Sequence, residues 1–136
     1  MIGVLVITHG DLARELINVA ELIKGDMKGV SPISVDASKS VETLKKEITS
    51  AVKKADKGKG VLILTDLFGG TPSNISLSFL KEGKVEVVTG VNLPMLLKIS
   101  EIGETKTLKE FAEYLKEYGK KNIYLASEVL QRKAGK

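Results

Sequence analysis

The residues best suited to chemistry fall in three turns of the chain. His9, the only histidine in 136 residues, follows the apolar run 2–7, and Asp66 closes another apolar run. The turn "GGTP" (69–72) comes shortly after Asp66, and "GVN" (90–92) closes a third run. A neutral imidazole is a nucleophile through one nitrogen, and a carboxylate bonded to the other nitrogen orients the ring. Glycine turns and helix starts offer free N–H groups to an anion, so the combination predicts a histidine that carries a phosphoryl group.

Each of these residues also has an ordinary structural explanation. A lone histidine is often a surface residue at a helix start, an aspartate after a strand is often a turn former, and paired glycines before Thr71 can be a simple turn and cap. Asn92 and Thr71 are each expected to cap a helix, and Thr107 and Glu110 to form a capping box. The spacing fits neither a Walker A loop nor a G-x-G-x-x-G fingerprint, and no cluster of His, Asp and Glu has metal-ligand spacing. The chain has no cysteine, which excludes thiolate metal sites and cysteine nucleophiles.

The hydrophobic pattern predicts the elements that position these residues. Nearly continuous apolar runs, typical of strands covered on both faces, alternate with segments of helical spacing. This alternation predicts an α/β fold with a doubly wound, mainly parallel sheet flanked by helices on both faces. Pro32 cannot donate to a ladder, so its strand is placed at an edge. Ligands bind such sheets at the carboxyl ends of the strands, where His9 and Asp66 both fall. Strands are predicted at 2–7, 30–35, 60–66 and 84–91, and helices at 11–24, from 41 to near 58, from 71, at 92–102 and from 107.

The bulk composition predicts one soluble, cytoplasmic domain. The chain is 43% hydrophobic, and its apolar start is too short for a signal peptide or a membrane span. A formal charge of +4 is spread among acidic residues, and aromatics are only 4%, which argues against a nucleic-acid partner. We expect the domain to cover residues 1–130, with a frayed tail at 131–136. "NIYLAS" (122–127) fits a strand or a helix, and we favour a final strand.

Three segments resemble the EIIA component of the mannose-type sugar phosphotransferase system. They are "ITHGDLA", "LTDLFGGTPSN" and "VVTGVNLPML", and the similarity runs from Met1 to about Leu115. The resemblance implies that His9 takes a phosphoryl group from phosphohistidine of the carrier HPr. His9 would then pass the group to an EIIB protein, which phosphorylates sugar imported by membrane subunits. Asp66 would be the hydrogen-bonding partner of His9, with phosphorylation at Nε2.

The resemblance also shapes the expected surroundings of His9. Thr71 stands where the family has a hydroxyl residue near the phosphate, and we assign Gly70 and Gly10 to the same phosphate site. Transfer between two imidazoles requires no nucleotide or metal cofactor, because the protein supplies positioning and charge stabilisation. The family is a homodimer that exchanges a last antiparallel strand, for which "NIYLAS" is the candidate, and the EIIB is expected on a separate polypeptide. The apolar rim that would meet both partners is expected to comprise Leu67, Phe68, Leu93 and Met95.

Three other functions fit parts of the pattern. The phosphocarrier subunit of dihydroxyacetone kinase also uses a histidine after the first strand, but "FGGTPSN" and "GVNLPM" are mannose-type features. A histidine phosphatase has Arg-His-Gly and a second histidine, whereas Thr8 precedes the single histidine here. A regulatory module that reports its phosphorylation state to another protein would use His9 without onward transfer. The sequence leaves this last possibility open.

Overall fold

The computed structural model describes residues 1–134, in which strands and helices alternate along most of the chain. The strands are β1 (Gly3–His9), β2 (Val30–Val35), β3 (Val61–Thr65) and β4 (Val85–Thr89). The helices are α1 (Leu12–Lys24), α2 (Val41–Ala55), α3 (Thr71–Leu77), α4 (Leu93–Ile99), α5 (Leu108–Lys121) and α6 (Ala126–Ala134). Among these residues, none of the helices combines the length and the hydropathy that a membrane-spanning segment requires.

The four strands form one parallel sheet in the order β2-β1-β3-β4. The predicted α/β class and doubly wound parallel sheet are therefore confirmed. Strand β2 lies at an edge, as Pro32 predicts, and pairs only with β1 within the described residues. After β1, the chain adds β2 on one side of it and then β3 and β4 on the other side. The carboxyl ends of β1 and β3 are consequently neighbours at the point where the winding reverses.

Helices cover both faces of the sheet, which explains why the strands are apolar throughout. One core lies between the sheet and α1, α4 and α5, and it takes alternate residues of the central strands such as Val6 and Leu64. The other core lies between the sheet and α2 and α3, and it contains the strand residues that point to the opposite face, such as Ile7 and Ile63. Each fully buried Leu or Ile contributes roughly 1.5–3 kcal/mol of hydrophobic stabilisation. The two cores therefore hold the central strands, and with them the strand ends, in fixed positions.

The helix starts largely follow the capping residues of the sequence. The Asn92 side chain accepts a hydrogen bond from the Met95 N–H at 3.1 Å, which confirms the predicted cap. Thr107 and Glu110 form the predicted capping box. Helix α3 differs, because Gly70 rather than Thr71 is its N-cap, with φ −86° and ψ 175°. Thr71 is the first helical residue of α3, directly after the Gly70 cap.

The end of the chain corrects the prediction of a final strand. Asn122 to Leu125 form no regular element, and α6 follows from Ala126. A strand needs a neighbour to pair with, whereas the Ala, Glu, Gln, Arg and Lys residues of 126–134 favour a helix that satisfies its own backbone. No C-terminal antiparallel strand is present in the described residues. Residues 131–134 of the expected frayed tail continue α6, and 135–136 lie outside the described part.

Candidate functional site

The sheet brings His9 and Asp66 together at its carboxyl edge. His9 is the last residue of β1, and Asp66 follows β3, the strand next to it. The ring nitrogen Nδ1 of His9 lies 2.8 Å from Asp66 Oδ2, and the same oxygen accepts the main-chain N–H of His9 at 3.0 Å. The second carboxylate oxygen accepts the N–H of Leu67 at 3.0 Å. Asp66 is thus held by three donors and fixes both the backbone and the ring of His9.

This geometry decides which nitrogen of His9 is open to a reactant. An ionised carboxylate only accepts hydrogen bonds, so Nδ1 carries the proton toward Asp66 in the neutral ring. The lone pair is then on Nε2. The His9 side chain is 52% exposed, while that of Asp66 is 10% exposed. The carboxylate therefore orients the ring through Nδ1, and Nε2 is left free on a ring that is about half exposed.

The ionisation of Asp66 is consistent with this role. Its partial burial would by itself raise the pKa of the carboxyl group. The hydrogen bonds from the His9 main chain and ring, together with the attraction of the ring's charge, outweigh burial and lower the pKa below its usual value. Asp66 is therefore an anion at neutral pH, as a partner that stabilises a positively charged imidazole must be.

Gly70 lies directly against the imidazole. A Cβ at this position would be 2.8 Å from His9 Cε1 and 3.3 Å from Nε2. Only glycine leaves room for the ring where Asp66 holds it. The N–H groups of Gly70 and Thr71 have no hydrogen-bond acceptor among residues 1–134. An anion on Nε2 would meet this stretch of backbone first.

Gly10 lies in the turn directly after His9. Its N–H is donated to the Val35 carbonyl at 2.9 Å and is therefore not free for an anion, and a part for Gly10 in the phosphate site stays a prediction. Its φ of +54° is in the left-handed region that favours glycine. Thr8 and Ser34, which the sequence did not single out, bond to the same turn. The pairing of β1 with β2, which the sequence does not reveal, places both residues beside this turn.

The predicted rim residues divide into two groups. Leu67 and Phe68 are 51% and 74% exposed beside Asp66. Leu93 is half-buried against the core, and Met95 is only 2% exposed within it. Met95 is thus placed in the core and not on the rim, because α4 turns that side toward the sheet. Leu12, 46% exposed at the start of α1, was missed. Its helical spacing with Leu16 and Val19 suggests a buried position, whereas α1 buries Ala13, Ile17 and Ala20, so the sequence contains no clear signal for it.

Comparison with known proteins identifies the family of the chain. Residues 3–116 match the family model described as the PTS system fructose IIA component. The chain belongs to the mannose-type EIIA family of the sugar phosphotransferase system. The matched range contains His9, Asp66 and the whole parallel sheet, so the family covers the site as well as the fold.

Two EIIA relatives and one EIIA structure define the extent of the similarity. The fructose-specific EIIA component of Bacillus subtilis is 31% identical over 97% of this chain and 91% of its own length. The mannose-specific EIIAB component of Escherichia coli is 35% identical over 71% of this chain, which spans 30% of that relative. The crystal structure of the EIIA component from Streptococcus agalactiae matches with a TM-score of 0.82 and 26% identity, over 94% of this chain and 99% of that one.

Proposed function

We propose that this EIIA chain is a phosphocarrier that accepts a phosphoryl group on His9 Nε2 from phosphohistidine of HPr and passes it to an EIIB protein. The observation that carries the proposal is the 2.8 Å bond between His9 Nδ1 and Asp66 Oδ2, which leaves Nε2 as the free nitrogen. Membership of the EIIA family supports the same chemistry. No other histidine exists in the chain to take the role.

The transfer is a displacement at phosphorus between two imidazoles. The lone pair of Nε2 attacks the phosphorus while the nitrogen–phosphorus bond of the donor breaks, and the electron pair of that bond stays on the donor ring. The His9 ring gains positive charge as the new bond forms, and the Asp66 carboxylate stabilises that charge through Nδ1–H. Donor and acceptor are chemically alike, so catalysis consists of alignment and electrostatic stabilisation. Asp66 supplies part of both.

The start of α3 is the proposed binding site for the phosphoryl oxygens. Gly70 lies against the ring, and its N–H and that of Thr71 lack acceptors among the described residues. Thr71 is exposed, so its hydroxyl is accessible for a further hydrogen bond. Backbone N–H groups at a helix start favour anions. They would neutralise part of the phosphate charge without a cation.

The apolar rim is the proposed docking surface for both partners. Leu12, Leu67 and Phe68 are exposed around the mouth of the site. Exposed apolar groups beside a reactive centre exclude water from it once a partner covers them. HPr and the EIIB must both reach His9, so they use this surface in turn and cannot bind together.

A homodimer is a further part of the proposal. Ile123, Tyr124 and Leu125 follow α5 and are 75%, 64% and 61% exposed. A second copy that covers these side chains would remove apolar surface from water. Replacement of all three by serine is expected to convert a dimer into a monomer in light scattering. A monomeric parent chain would refute this part and leave the role of His9 untouched.

A two-step transfer assay tests the function. The chain is incubated with radiolabelled phospho-HPr, reisolated, and mixed with an EIIB protein of the mannose type. We expect label on the chain and then on the EIIB, and no label on a His9→Gln variant. Acceptance without onward transfer would favour the regulatory module, and transfer to the nucleotide subunit of a dihydroxyacetone kinase would favour that system. Absence of label on the parent chain would overturn the phosphocarrier proposal.

A further inference from the structure

Two hydroxyl side chains lie side by side behind the catalytic turn. Thr8 of β1 and Ser34 of β2 are register partners in the parallel sheet, so their side chains share one face. Thr8 Oγ1 donates to the carbonyl of His9 at 3.2 Å, and Ser34 Oγ donates to the carbonyl of Gly10 at 2.7 Å. Two neighbouring hydroxyls therefore hold two successive carbonyls of the turn. Neither residue contacts the ring of His9, which is on the opposite face.

Thr8 also connects the turn to the helix that follows it. Its Oγ1 accepts the Ala13 N–H at 2.8 Å. Asp11, the N-cap of α1, makes no side-chain cap bond within the described residues. The hydroxyl of Thr8 takes over that function from inside the sheet, where it is fully buried. The start of α1 and the carbonyl of His9 are thus fixed by one atom.

The turn needs such support because its own backbone is permissive. Gly10 is exposed and has a φ of +54°, and a Cβ at this position would meet no atom within 4 Å outside the neighbouring residues. Gly10 is held by the Ser34 hydroxyl on its carbonyl and by the bond from its N–H to Val35. A shift of the turn would carry the His9 main chain with it. The ring would then move relative to Asp66, which follows β3, and Gly70, which precedes α3.

We propose that Thr8 and Ser34 are positioning residues that hold the His9–Gly10 turn in register for phosphoryl transfer. The inference rests on the proposed phosphocarrier function. The two hydroxyls act only through the backbone and touch no reacting atom. Their contribution falls on the rate of transfer within the bound complex and not on the binding of HPr, because neither lies on the apolar rim.

The test combines four variants with one control. Ser34→Ala and Thr8→Val remove the donors, Ser34→Thr and Thr8→Ser retain them, and Ser31→Ala makes the same change on an exposed residue of β2 away from the turn. Single-turnover labelling over a range of phospho-HPr concentrations gives the maximal rate and the half-saturating concentration. We expect the maximal rate to fall about tenfold for each donor removed, the loss corresponding to one hydrogen bond. Half-saturation should be unchanged, and the variants that keep a hydroxyl should recover most of the rate.

The ¹⁵N signals of the His9 ring, read without any phosphoryl donor, separate this inference from the function on which it rests. We expect the Nδ1 signal of Ser34→Ala to shift and broaden, and that of Ser31→Ala to match the parent. Normal rates together with an unchanged ring signal in Ser34→Ala and Thr8→Val would overturn the inference. If the parent accepted no phosphoryl group, the proposed function would fail, and the ring signals would still decide whether the hydroxyls position His9. Ser34 is half-buried, so its variant remains informative if the buried Thr8→Val change prevents folding.

Discussion

The substitution Gly70→Ala probes the site most sharply, because it adds one methyl group directly against the reactive ring. The new Cβ would lie 2.8 Å from His9 Cε1 and 3.4 Å from Leu67 Cδ1. The backbone of Gly70, with φ −86°, accepts alanine without strain. The effect of the change is therefore confined to the crowding of the imidazole and a weaker helix cap.

The size of the effect follows from the distances. Carbon atoms pack at about 3.5–4.0 Å, so the ring must retreat from 2.8 Å by roughly 0.7–1.2 Å. A shift of that size stretches the 2.8 Å bond between Nδ1 and Asp66 beyond hydrogen-bonding range. Misplacement of a reacting group by about 1 Å costs on the order of 10²-fold in rate. The ring is 52% exposed and can swing into water, so the loss of unfolding free energy stays near 1–2 kcal/mol, from the hydrogen bond and the poorer N-cap.

The assay is the single-turnover rate of label transfer from phospho-HPr, with unfolding followed by circular dichroism. Gly103→Ala is the matched control, because a Cβ there meets only Thr105 Oγ1, at 3.9 Å, and Gly103 does not have a positive φ. We expect Gly70→Ala to fold and to transfer about 10²-fold more slowly, while Gly103→Ala transfers at the parent rate. A Gly70→Ala chain that transfers normally would refute the argument that the ring must stay where Asp66 holds it.

Three further predictions address the neighbours of His9. Asp66→Ala is expected to fold and to slow transfer by about 10- to 10⁴-fold, because the tautomer and orientation of the ring are lost; a normal transfer rate would contradict its role. Thr71→Val is expected to weaken the phosphorylated state by about 1 kcal/mol through one lost hydrogen bond, read as a faster loss of label, with Thr71→Ser as control. The pKa of Asp66 is lowered in the folded chain, so the stability that Asp66 contributes is present above the unfolded pKa and is lost as pH falls through the folded pKa. Denaturant titrations between about pH 5 and 3 should therefore show a smaller loss of unfolding free energy in Asp66→Asn than in the parent.

A separate prediction concerns packing near the site. Thr65 Oγ1 is fully buried with no hydrogen-bond partner among the described residues. A buried unpaired hydroxyl costs about 1–3 kcal/mol, and valine has nearly the same shape. Thr65→Val is therefore expected to raise the free energy of unfolding by about 1 kcal/mol, measured by urea titration. A decrease would show that the hydroxyl is satisfied in solution.

The position of the site at the carboxyl ends of the strands could be predicted from the sequence. Apolar runs that alternate with helical segments imply a parallel sheet, and the carboxyl ends of such strands meet at one edge. The same rule predicts that His9 and Asp66 lie close together. The edge position of Pro32 and the caps at Asn92 and Thr107 followed from single residues whose preferences are strong.

The features that the sequence did not reveal depend on contacts between distant segments. Met95 reads as a rim residue beside "GVN", but the rotation of α4 against the sheet buries it. The roles of Thr8 and Ser34 require the register of β1 with β2, which no local pattern encodes. The sequence indicates only that Gly70 is a turn glycine, whereas the structure places it against His9, 61 positions earlier in the chain. The prediction of a final strand at "NIYLAS" was wrong, because the segment has strand-forming residues but no strand among residues 1–134 lies beside it.

Mass spectrometry of the phosphorylated protein tests the central claim most directly. The chain is incubated with phospho-HPr, digested at neutral to alkaline pH to preserve an acid-labile phosphate, and its peptides are fragmented. The account predicts a single phosphoryl group on His9 that disappears on acid treatment and is absent from the His9→Gln variant. A stable phosphate on a serine or threonine, or no phosphate on the chain at all, would contradict it.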